Sequence, residues 1–342
     1  MRSAETRERA FGMDVTRAAA CAMVVLLHVA ATYFYSFGPL WIPALIYDAF
    51  TRGCVPIFIM LSGALLLPKE EPISLFFRKR AFRIIPPLVF WTIVYVSLFG
   101  ERSVSLSDQL GTYLTRPYGH LWYFYVLIGL YLSAPYLGKM FRASNERETR
   151  IFLILWFFFA CFLEQLRIIY SPQFKPETVF GTQLFSGYLG FFVLGAYLQQ
   201  YGKIATPKRR WTCVIAFTGA SAATACLTYV HSMHVGKPEE SFYFSYLTPL
   251  VAVAGMSAFA FFSSITSLPN YLATPIAMIS DCSLGIYCLH VMIISFFVER
   301  LHMADFFHTT WFKIPLLWAA IFLSATSLIY LVRKIPLMRY VA

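Results

Sequence analysis

The chain of 342 residues is 58% hydrophobic and 13% charged, with a mean hydropathy of +0.63, whereas soluble domains carry about 25% charged residues. No water-soluble core of this length hides so much apolar surface, which excludes a soluble globular protein and makes the bilayer the solvent. The net charge of +11 does not point to nucleic acid, because no basic run carries a recognition module and a polytopic protein gathers Lys and Arg in its cytoplasmic loops.

Apolar windows of membrane-crossing length fall at 15–34, 44–67, 82–99, 120–138, 150–169, 182–200, 211–230, 244–264, 281–299 and 312–332. They predict an all-α polytopic protein of about ten transmembrane helices, with residues 1–342 forming a single membrane domain. The first window is long enough to be a retained helix rather than a cleaved signal peptide. With the N-terminus placed in the cytosol, nineteen Lys and Arg fall in inside segments and six in outside ones. That asymmetry puts both termini in the cytosol. The weakest loop is 265–280, which has no Lys or Arg. Seven cysteines show no CxxC or zinc-type spacing and read as free thiols buried as small apolar residues.

Charges within apolar windows are costly and therefore informative. In RAAACAMVVLLHVAATYF (17–34), Arg17 and His28 stand eleven residues apart, which on a helix is about 16.5 Å of rise and only ~20° of rotation. Arg17 sits near the cytoplasmic end of the first helix and His28 past its middle toward the outer side. Taken singly, Arg17 can snorkel to the interface and His28 can bond a neighbouring helix; the shared face argues for a joint role. In FFRKRAFRIIPP (76–87), Lys79, Arg80 and Arg83 lead into Pro86-Pro87 where the third helix begins. Arginine's planar fork suits phosphate, so this segment points to a phosphate-rich cytosolic ligand. His120 opens the fourth helix on the outer side, either as an interfacial histidine or facing an acceptor. His290 lies mid-helix in the ninth window, where hydrogen-bonded packing is the simplest role. His231 and His234, in an outer loop, lack a carboxylate in register, so no metal is assigned. Asp48 and Arg52 form an i, i+4 structural pair. Glu164 and Arg167 form a second pair, toward an outer mouth.

Together these blocks resemble the acyltransferase type-3 family of bacterial integral-membrane O-acyltransferases. The resemblance rests on Arg17 and His28 with ten residues between them, CVPIFIMLSGALLL (54–67), RKRAFRIIPP, HLWYFYVLIGLYLSAP and SLGIYCLH, in that order. It is nearest to stand-alone members that acetylate surface glycans such as enterobacterial common antigen. Some members carry a glutamate in the helix-four block, which YVLIGLYL lacks. The resemblance implies a bacterial inner-membrane enzyme moving an acyl group, acetyl above all, from cytosolic acetyl-CoA to a hydroxyl of a surface polysaccharide or lipid-linked sugar. His28 is then the general base or a transient acyl carrier. Arg17 orients the base, holds the donor or stabilises the tetrahedral intermediate. His120 positions the acceptor, and Arg80, Arg83 and Lys79 bind CoA phosphates. The competing class is a transporter or flippase of glycans, for which inverted repeats with paired broken helices are expected and none is seen. The sequence leaves the acceptor sugar and the oligomeric state open.

The charge asymmetry places 68–81 and 201–210 in the cytosol and 231–243 outside. A single cysteine at position 208 is expected to react with impermeant thiol reagents only after the cells are opened. Its labelling in intact cells overturns the orientation.

Overall fold

The computed structural model describes residues 4–100, 104–115, 117–170, 187–202, 206–240, 243–303 and 310–342. Among these residues all regular structure is helical. Arg2, Arg102, Arg116, Lys175 and Lys203, which entered the loop-charge count, lie outside the described residues. In chain order the helices are α1 (Ala4–Ala31), α2 (Trp41–Thr51), α3 (Cys54–Leu66), α4 (Ile73–Phe99) and α5 (Leu106–Thr115). They continue with α6 (Trp122–Ala143), α7 (Glu146–Trp156), α8 (Leu163–Tyr170), α9 (Leu189–Tyr201) and α10 (Pro207–Val235). The last are α11 (Pro249–Ser263), α12 (Asn270–Ser295) and α13 (Thr310–Val332).

Eight helical stretches among the described residues are long and apolar enough to cross a membrane, α2 with α3 and α7 with α8 each counting as one. Each of the ten apolar windows overlaps helix among the described residues, 182–186 lying outside them, but α9 and α11 have only 13 and 15 residues. At 1.5 Å per residue these span roughly 20 and 22 Å, less than a ~30 Å hydrocarbon core. Both pack against α3. The segment before α11 is irregular, yet Phe244 and Thr248 within it are buried. Irregular backbone at this depth is tolerated where protein encloses it.

The second window is broken at Arg52-Gly53, between α2 and α3. The third begins nine residues earlier than its apolar window, at Ile73, because the basic segment is itself helical and only its continuation is greasy enough to register. Pro86 and Pro87 lie inside α4 rather than at its start. His231 and His234 belong to the last turns of α10 rather than to a loop; that helix runs on to Gly236, whose left-handed φ of 77° closes it.

Lipid tails are as apolar as leucine, so helices in a bilayer are held by close packing more than by burial of grease. The α3–α9 contact shows this. A β-carbon on Gly63 would stand 1.7 Å from the Phe192 carbonyl oxygen, and one on Gly195 would stand 1.9 Å from that of Met60. The two backbones touch where side chains normally intervene. Helix α1 lies in the middle of the bundle, against α2, α3, α11, α12 and α13, with Ala20, Cys21, Val25, Val29 and Ala30 fully buried. Outward-facing Phe82, Ile85, Val89 and Ile93 give α4 a lipid face. Cys21, Cys54, Cys161, Cys282 and Cys288 are buried free thiols, while Cys226 is exposed.

Gly195→Ala forces one backbone away from another and is expected to cost about 1–3 kcal/mol, read as a lower Tm in detergent. Gly219→Ala, with nothing within 4 Å of its added carbon, serves as the control and is expected to leave Tm unchanged or slightly raised, since alanine favours the helix interior.

Candidate active site

A cavity of about 280 Å³ lies within the bundle beside α1. Arg17 and His28 both line it, so the face they share in sequence is a face on one space. Arg80, Arg83 and Lys69 join Arg17 in the lining, as do His120, Trp122, Tyr123, Tyr246 and Tyr287 with His28. Because α1 rises about 16.5 Å between Arg17 and His28, the cavity has a cationic end and an imidazole end.

At the cationic end, Arg17 Nη1 donates to Ser280 Oγ at 2.9 Å and to Asp14 Oδ1 at 3.3 Å. Ser280 Oγ in turn donates to the same Asp14 oxygen at 2.7 Å. This three-membered network ties α1 to α12 and fixes the guanidinium within the bundle, which simple snorkelling would not require. Arg80 lies 4.9 Å over the Phe76 ring and 3.8 Å from Glu71, and its buried Nε has no partner among the described residues. Arg83 has no carboxylate paired to it among the described residues and is within electrostatic reach of Arg17.

Lys79 is placed differently from Arg80 and Arg83. Its ammonium is hydrogen-bonded to Glu71, it is half exposed, and it does not line the cavity. That bond is the chief reason the Glu71 carboxyl is held below the usual carboxylate range. Lys69, counted in sequence only as loop charge, occupies the cavity wall instead. Its carbonyl and that of Leu67 accept from Arg142 Nη1, each at 2.9 Å, which fixes the chain just beyond α3.

At the other end three imidazoles meet. The ring centroids of His28 and His290 are 4.9 Å apart, those of His120 and His290 5.1 Å, and those of His28 and His120 6.2 Å. His120 sits in the short turn Gly119–Leu121 before α6 and is buried, which rules out an interfacial-belt position. Its Nε2 donates to the Cys288 carbonyl at 3.2 Å. Tyr287 donates to the His120 carbonyl, and Tyr95 to the Cys288 carbonyl at 2.8 Å. His290 is fully buried on α12. Its simplest reading from sequence, a packing histidine, overlooked the cluster because its two neighbours lie 170 and 262 residues away. Among the described residues no group of three His, Cys, Asp or Glu has the placement to hold a metal ion.

Aromatic rings close the imidazole end. Tyr246 stacks on Trp122 with centroids 5.6 Å apart, and Tyr188 lies 6.1 Å from Trp122. Tyr246 belongs to the irregular segment before α11, which Arg52 holds in place. The Arg52 guanidinium bonds both oxygens of fully buried Asp48, at 2.6 and 2.8 Å, and reaches Glu240 and the Phe244 carbonyl at 3.4 Å. It also lies 4.5 Å over the Phe244 ring and 5.8 Å over that of Tyr246. On the loop side, Tyr35 donates to Glu240 at 3.2 Å, and burial, then that carboxylate, pushes its phenol up to about 12. Glu164 and Arg167 pair on α8, and neither lines the cavity.

The described bundle thus lines one cavity with arginines at one end and imidazoles at the other, residue types suited to holding an anion and to accepting a proton. Residues 11–334 match the family model described as the acyltransferase domain, and the chain belongs to that family, type 3 of the acyltransferases. No curated protein and no solved structure matches the chain.

Removing one partner of a buried ion pair strands the other charge. Arg52→Met alone is expected to cost about 3–5 kcal/mol, and Asp48→Leu with Arg52→Met to cost less than the single change. Thermal unfolding in detergent measures both; a double variant less stable than the single one contradicts the pairing.

Proposed function

We propose that the protein moves an acetyl group from cytosolic acetyl-CoA to a hydroxyl of a carbohydrate, either a surface polysaccharide or a lipid-linked sugar, across the inner membrane of a bacterium. The observation that carries this reading is the single cavity with cations at one end and imidazoles at the other. CoA carries its phosphates at one end of a thin, extended arm and its thioester at the other. Arg80 and Arg83 bind the phosphates, with Lys69 beside them and Lys79 turned toward Glu71. The arm passes Arg17 and presents the thioester to His28. The stacked Trp122–Tyr246 pair supplies flat apolar faces for the acceptor ring.

A sugar hydroxyl is a poor nucleophile near neutral pH. His28 takes its proton as the oxygen attacks the thioester carbon, and the resulting oxyanion is stabilised by nearby donors. Collapse of the tetrahedral intermediate breaks the carbon–sulfur bond. The proton on His28 passes to the departing thiolate, which returns the imidazole to its starting state. His120 positions the acceptor.

Three variants test the division of labour in purified protein with acetyl-CoA and an acceptor glycan. Arg83→Ala is expected to raise the KM for acetyl-CoA roughly tenfold or more, since charge-assisted contacts are worth about 1.5–3 kcal/mol. His28→Ala is expected to lower kcat by about 10²- to 10⁴-fold with CoA binding retained. Arg17→Lys keeps the charge but loses the planar guanidinium whose Nη1 bonds Asp14 and Ser280 and whose other nitrogens remain to face the cavity, so activity falls. Wild-type glycan acetylation by His28→Ala removes the proposal.

A further inference from the structure

The three imidazoles differ in what their nitrogens already do. A carbonyl oxygen only accepts, so the ring nitrogen facing one carries the proton. His290 Nδ1 faces the Ile286 carbonyl at 3.2 Å, within its own helix. In the neutral ring Nδ1 is therefore the N–H and Nε2 holds the lone pair. That Nε2 is buried and has no partner among the described residues. His120 is fixed the opposite way: its Nε2 donates to the Cys288 carbonyl, and its buried Nδ1 is bare. Buried acceptors are seldom left unpaired, and exceptions call for an explanation.

The explanation for His290 lies in the next ring. A linear N–H···N bond of about 2.9 Å between two imidazoles sets their centroids roughly 5 Å apart. His28 and His290 stand at 4.9 Å, while His28 and His120, at 6.2 Å, are too far apart for such a bond. His28 opens onto the cavity; His290 does not line it. No carboxylate is hydrogen-bonded to any of the three rings among the described residues.

We propose that His290 is the positioning residue for His28: its Nε2 lone pair, unpaired among the described residues, accepts the N–H of the His28 ring once that ring, centred 4.9 Å away, turns a short way toward it. This deepens the reading of His28 as general base and rests on it. The bond fixes the His28 tautomer so that the other nitrogen turns its lone pair to the cavity. It also holds the ring while the acceptor proton arrives, when the imidazolium N–H bonds more strongly to Nε2. His290 keeps its own proton on Nδ1 throughout, so the only proton moved goes from the acceptor oxygen to His28 and on to the thiolate. In water-soluble enzymes an aspartate often holds the base in this way. Here a neutral imidazole, oriented by its own helix, does so without placing an anion in hydrocarbon.

The test uses purified full-length protein. His290→Ala is expected to lower kcat by about 10- to 100-fold, with the KM values for acetyl-CoA and acceptor held within about twofold of wild type. His290→Gln keeps an acceptor oxygen near the place of Nε2 and is expected to recover much of the loss. Side-chain ¹⁵N spectra of histidine-labelled protein read the pair without any substrate: one tautomer of His28 in the wild type, and exchange between two in His290→Ala. A His290→Ala protein with wild-type kcat overturns the proposal. So does a His28 signal identical in the two proteins, or a loss that Gln does not relieve and that raises both KM values. A wild-type protein that transfers no acetyl group removes the proposed function instead, and leaves the spectral test of the pair intact.

Discussion

Polar groups meet between α1 and α12 at both ends of the cavity, across an interface built mostly of small and apolar residues. At one end Arg17 and Asp14 meet Ser280; at the other the His28 ring meets His290. Between them Cys21 Sγ faces the Ser283 carbonyl at 3.9 Å, and small buried residues let the backbones approach. In a medium without water, such groups set the register of two helices more strictly than leucines do, since any slip leaves an acceptor or a cation unmatched. The same register that satisfies Arg17 brings the two imidazoles into contact.

The sequence made the α1 side of this arrangement legible. Helical periodicity alone puts Arg17 and His28 on one face, and the structure realises that face along a single cavity. Arg80 and Arg83 were readable for the same reason, being one turn apart. Lys79 shows the limit of composition: three neighbouring cations look alike in sequence, and only the fold shows that Lys79 is bonded to Glu71 away from the cavity while Arg80 and Arg83 line it. His290 marks a different limit. Its neighbours are fixed by contacts between helices distant in the chain, for which local pattern holds no signal. The irregular segment carrying Tyr246 was hidden inside an apolar window, because hydropathy records grease and not backbone shape.

Charge within the bundle is handled in two distinct ways. Arg52 is fully engaged: a bidentate bond to Asp48, two aromatic faces and a carbonyl leave it nothing to offer a ligand. It serves as a fastener that fixes the irregular segment against the broken helix. Arg80 and Arg83 are under-engaged, and it is their spare hydrogen-bonding capacity that suits them to an anionic visitor. The contrast separates the fully engaged arginine from those with spare donors more sharply than depth does.

The helices that carry the two ends of the cavity are anchored very differently. His28 rides on α1, enclosed by protein on most sides, whereas α4, with Arg80 and Arg83, buries only 28% of its apolar stretch within the bundle. Pro86 and Pro87 interrupt its hydrogen bonding just beyond the arginines. Bilayer thickness and lateral pressure therefore act directly on one end of the cavity and hardly at all on the other. A thicker or thinner membrane that tilts α4 changes the span between guanidinium and imidazole, making the lipid itself a setting of the distance that a bound molecule must bridge.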